Sequence, residues 1–156
     1  MSREQQAQVD AALERAAERL GDIVPLVMAE FYAHHPDARA AFDTHSPHGN
    51  PHRLEAEMVD NALYFVMTWF ERKAEVEIIA YTSVPHHAET LHVPPAWYSG
   101  LLEATITVLR RATPPDDTAE LALWDELREK LCHVMSGYPS RHFKAIEISL
   151  KICNLN

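Results

Sequence analysis

Apolar residues recur along this chain at intervals of three and four, the period of a helix face. Val9, Leu13, Ala16 and Leu20 keep that period and predict a helix over 4–20, ended by Gly21. Asp22 is a fitting N-cap for a second helix, with Pro25 in its first turn. This helix carries Ile23, Leu26, Val27, Phe31 and Tyr32 and stops before Pro36. A short helical stretch follows to Phe42, and residues 43–51 read as a loop of Thr, Ser, Pro, Gly and Asn.

The strongest pattern runs from His52 to about Arg72. Leu54, Met58, Phe65 and Trp69 form one stripe, and Val59, Leu63, Val66 and Phe70 form an adjacent one. So wide an apolar surface predicts a helix buried on two sides, against two neighbours or against a neighbour and a ligand. Residues 74–91 read as a helix interrupted at Pro85. Pro94 and Pro95 open another, to about Arg111. A further helix spans about 118–137, with Leu121, Trp124, Leu127, Leu131 and Met135 inward, closed by Gly137 and Pro139. The tail beyond reads as one short helix, with Ile146, Leu150 and Cys153 inward, or as the start of a linker. No segment alternates as a strand does. The pattern predicts an all-α fold of six to eight helices, with one domain over 1–138 and a tail over 139–156.

Composition narrows the class. The 156 residues are 47% apolar and 24% charged, which suits one globular domain with a real core. Four glycines are too few for a turn-rich β fold or a phosphate loop. A net charge of −9 with no basic run argues against nucleic-acid binding. No apolar run approaches membrane-spanning length, and the charged N-terminus has no signal-like core, so the chain reads as cytoplasmic without a membrane partner. Cys132 and Cys153 form no zinc pattern and read as reduced thiols. Ten histidines are a high count and hint at a metal or cofactor.

The informative window is 87–109. His87 ends a helix. Six residues later comes the branched Val93, then Pro94, then the aromatic Trp97, then an apolar helix. Neutral imidazole is a good axial ligand for haem iron, and an apolar residue just beyond it shields the site from water. This segment resembles the proximal segment of the globin family, in myoglobins and bacterial haemoglobins. A second segment, His35-Pro36 followed by a short helix to Phe42, resembles the globin stretch whose phenylalanine stacks on the porphyrin. A third, around Trp124, is similar to the last helix of single-domain bacterial globins. Together the resemblance covers roughly residues 5–138. It implies a globin fold around a haem pocket, haem b (iron protoporphyrin) as cofactor, His87 on the metal, and Phe42, Val93 and Trp97 against the ring.

The side of the haem where a gas would bind is left open. Counting back from Pro36 as in myoglobin brings Met28 over the iron. Glu30-Phe31-Tyr32 resembles the matching helix of globin-coupled sensors instead, which implies Tyr32 with Leu54. On the long central helix Leu54 and Met58 share a face and are the first choice for lining the haem. A bacterial-haemoglobin register puts Glu55 and Val59 there, and a buried glutamate is costly unless paired. His86 is the nearest rival to His87, turned about 100° away on the helix. His45, His48, His52 and His92 read as exposed residues in or beside loops.

The resemblance implies reversible binding of a diatomic gas (O2, CO or NO), for sensing or carriage, without catalysis. Similarity to the sensors implies a homodimer through the last helices. Two alternatives stand beside it. One is a bacterial haemoglobin that oxidises NO with a separate reductase. The other is a globin-fold interaction module without haem, since a fold does not fix a function. The chain carries no nucleophile elbow or other catalytic constellation.

Overall fold

Pro51, Pro95 and Gly21 mark where helices begin and end, and each does so for a reason of backbone chemistry. In the computed structural model, which describes the backbone of residues 2–153 and the side chains of 2–46 and 48–136, the chain is all helix and turn with no strand among the described residues. The elements are α1 (Ser2–Leu20), α2 (Val24–His34), α3 (Asp37–His45), α4 (Pro51–Thr68), α5 (Lys73–Thr90), α6 (Pro95–Arg110) and α7 (Thr118–Cys153). Gly21 ends α1 with a φ of 63°, the left-handed conformation that only glycine takes without penalty. The Asp22 carboxylate accepts the Val24 amide at 3.0 Å where α2 begins. Pro51 and Pro95 occupy first-turn positions, where a missing N–H is harmless.

Two helices outrun their expected ends. Pro85 does not interrupt α5, which continues to Thr90. A proline removes one backbone bond and bends a helix without having to end it. Here the lost bond is the one to residue 81, on a turn where Tyr81 is half exposed and water has access. Likewise α7 does not stop at Gly137 and Pro139 but runs through both to Cys153. The boundary expected at 138/139 therefore falls inside a helix. The side chains of Ile146, Leu150 and Cys153, expected to face inward, lie outside the described residues, as do residues 154–156 altogether.

The core lies where α7, α6, α4 and α2 meet. Val27, Met28 and Phe31 of α2, Val59, Ala62 and Val66 of α4, Leu102, Ile106 and Leu109 of α6, and Trp124, Leu127 and Leu131 of α7 are all buried. On α5 the buried residues are Val76, Ala80 and Val84, one every turn, while Ile78 and Tyr81 on the outer side are exposed. Trp124 is fully buried, so its indole N–H needs an acceptor. It donates to the Thr113 hydroxyl at 2.9 Å, which donates in turn to Glu120 at 2.6 Å. Glu120 also pairs with Arg15 of α1. Arg19 donates to the Ala112 carbonyl at 2.9 Å, so α1 is tied to the turn between α6 and α7.

At the crossing of α2 and α6 the backbones come close. Gly100 of α6 is buried, and the His35 imidazole lies directly over it. A Cβ at this position would stand 2.3 Å from His35 Nε2. The same imidazole rests against Phe31, with ring centres 5.2 Å apart.

Candidate functional site

The pattern that buries α4 on two sides also opens a slot along it. Leu54, Met58, Ala62 and Phe65 recur every third or fourth position and face one way. Across from them α5 presents Ile79, Ser83 and His87, and α6 forms the floor with Trp97, Tyr98 and Leu101. The slot has two chambers. The outer one has a volume of about 140 Å³ and is bordered by Phe31, Phe42 and Val93. The inner one, about 460 Å³, lies between α4 and α5. Met58, His87, Tyr98 and Leu101 border both, so the chambers meet at these four side chains. The inner chamber falls within the size range of small-ligand and cofactor sites, and the smaller outer one joins it at this waist.

His87 is placed by its own turn of helix. Its Nδ1 lies 2.8 Å from the Ser83 carbonyl. A carbonyl can only accept, so Nδ1 carries a proton, and in the neutral ring the lone pair is on Nε2. The Tyr98 ring meets the imidazole edge to face at 5.7 Å. The turn after α5 is built on the same residue. The amides of Leu91 and Val93 both donate to the His87 carbonyl, at 3.0 and 3.2 Å. The second bond requires His92 at a φ of 54°, a left-handed conformation that a histidine adopts at a cost of about 1–2 kcal/mol. That tight turn carries Val93 back onto the slot before Pro94 starts the approach to α6. His86, one residue earlier, is exposed and stays outside the slot.

The slot thus gathers Phe42, Leu54, Met58, His87, Val93 and Trp97. It does not include the two α2 residues expected on the gas side. Met28 is buried in the core and lines neither chamber. Tyr32 packs edge-on against Phe42 at 5.9 Å, with the Arg39 guanidinium 5.4 Å above its ring. Its hydroxyl is buried on the side of Glu55, away from the slot. Burial, and then the charge of Glu55, hold that phenol protonated well above its ordinary range. Phe31, between Met28 and Tyr32, is the α2 residue that faces the slot. Glu55 and Val59 do not line it either, and Val59 is fully buried against the core.

Phe31, Tyr98 and Leu101 are lining residues that the sequence reading does not single out. For Leu101 a signal exists, four residues after Trp97 on the same face. His45 is exposed, as expected, yet edges the outer chamber. Among the described residues no three His, Cys, Asp or Glu side chains converge as a metal cage, and no helix is long and apolar enough to cross a membrane. What the arrangement offers is one imidazole on a half-open, mostly apolar slot. No protein-family model, curated protein or solved structure matches the chain.

Proposed function

We propose that this chain is a haem-binding globin whose slot between α4 and α5 takes the porphyrin, with His87 as the axial ligand to iron. One observation carries the reading: His87 is fixed to the Ser83 carbonyl through Nδ1, which leaves Nε2 as the lone-pair nitrogen of the neutral ring, in a slot otherwise lined mainly by apolar side chains. A metal-bound histidine needs this tautomer, and it is commonly set by a backbone carbonyl on the other ring nitrogen. The fit extends to shape. Leu54 and Met58 face His87 across a gap between two helices, and Phe42, Val93 and Trp97 close the outer end against solvent. When bound, ferrous haem supplies reversible binding of a diatomic gas. The protein's residues hold the ring, orient the imidazole and exclude water. The reading includes a role in gas sensing or carriage and a homodimer through the last helices.

The test is direct. Purified protein, reconstituted with haemin if needed, is expected to show an intense Soret band. His87→Ala should loosen haem by more than the roughly 10–100-fold that losing an outer partner costs a metal site. His86→Ala should leave haem binding unchanged. Absence of a Soret band after reconstitution, or equal effects of the two substitutions, would sink the proposal.

A further inference from the structure

Resting on that reading, we infer that the gas side of the slot is built for a diatomic ligand that needs no hydrogen bond, carbon monoxide or nitric oxide, and selects against oxygen. Oxygen draws electron density from ferrous iron and gains from an N–H or O–H donor beside it. Carbon monoxide stays nearly neutral and gains little. The polarity and donors of the gas side therefore decide which ligand is held.

Among the described residues, the wall that α2, α3 and α4 turn toward the outer chamber beside His87 is apolar except for the exposed His45 at its edge. Leu54 and Met58 form it, and Phe31 and Phe42 close it. Among the described residues, the donors that border the slot stand on other walls or point elsewhere. Tyr32 has its hydroxyl buried off the slot, in the field of Glu55. Tyr64 donates to Glu75. Ser83 stands one turn before His87 on α5, and Trp97 and Tyr98 rise from α6 with the Tyr98 ring edge-on to the imidazole, so these donors stand on helices other than the one that carries Leu54 and Met58. Asn61 and His45 are exposed, and each borders only one chamber, whereas Met58 borders both at the level of His87.

The experiment compares reconstituted, reduced wild type with Tyr32→Phe and Met58→Gln, with Leu54→Gln as a second variant should Met58→Gln not fold. Stopped-flow and flash photolysis give dissociation rates for oxygen, carbon monoxide and nitric oxide in separate arms. Infrared spectroscopy reads the C–O stretch. Wild type is expected to lose oxygen fast, with a rate and a C–O band that Tyr32→Phe leaves unmoved. The added amide of Met58→Gln is expected to slow oxygen loss by about tenfold or more, the effect of one hydrogen bond to a charged group. It should change carbon monoxide and nitric oxide loss by much less. Two results overturn the inference while leaving the haem reading intact. One is oxygen loss that Tyr32→Phe accelerates about tenfold. The other is a low-spin spectrum of the reduced protein that Met58→Leu abolishes, which would make Met58 itself a ligand. A protein that takes up no haem overturns both.

Discussion

Replacing Gly100 by alanine should destabilise the protein, and should do so only while His35 is present. The new Cβ would stand 2.3 Å from His35 Nε2 and 2.7 Å from its Cδ2, against 3.4–4 Å for ordinary contact. The imidazole also packs against Phe31, with ring centres 5.2 Å apart, so moving it disturbs a second contact. Forcing a methyl into such a contact costs about 1–3 kcal/mol. Alanine inside a helix gains about 1 kcal/mol over glycine, which offsets part of that. The net loss in wild type is then about 0–2 kcal/mol. In a His35→Ala background the clash is gone and the propensity gain stands alone, so the sign reverses and Gly100→Ala stabilises by about 1 kcal/mol. Urea unfolding of the four proteins gives the coupling directly, expected at about 1–3 kcal/mol. Thermal melts should show each kcal/mol as about 2–4 °C. The same change in both backgrounds would refute the contact as the reason for glycine at this crossing.

Thr113→Val keeps the shape but strands the Trp124 N–H, which is fully buried, and should lower unfolding free energy by about 1–3 kcal/mol in urea; an unchanged midpoint would mean another acceptor serves the indole. Cys132 is protected by burial, and then by the Glu103 carboxylate, which push its thiol from about 9 up to about 11. The folded chain therefore holds this proton more tightly. The associated stability is full below pH about 9 and is lost as pH rises toward 11. In a Cys153→Ser background, alkylation at pH 9 should be much slower in native than in urea-unfolded protein, and equal rates would contradict the burial.

The helices were legible because period and punctuation agreed. Val9, Leu13 and Ala16 mark one face, Gly21 stops it, and Pro51 and Pro95 sit where helices start. The errors came from treating proline as a stop. Pro85 and Pro139 both lie inside helices, and proline in sequence does not say whether its lost bond falls where water or a bend can absorb it. At the slot, His87 was preferred to His86 because its spacing to Val93-Pro94 matches the segment it resembles, and it is His87 that lines the slot. On α2 no such anchor exists. Its residues are apolar nearly all round, so the sequence cannot say which of Met28, Phe31 and Tyr32 faces the slot. That depends on how α2 crosses α6, a crossing set by the contact of His35 with Gly100. Tyr98 was missed because it stands beside Trp97, and one aromatic hid the other.

The two sides of the slot's waist differ in freedom. His87 is held at Nδ1 and flanked by Tyr98, so its ring has already lost most of its rotamer entropy on folding. Met58, across from it, is unbranched with three rotatable bonds. Pinning such a side chain costs about 1.5–2 kcal/mol. Whatever enters the waist will therefore meet one wall that is ordered beforehand and one that must be ordered by contact. Position is set by the first and tolerance by the second. Occupants of different outline should be accommodated by shifts of Met58 while the imidazole stays in place.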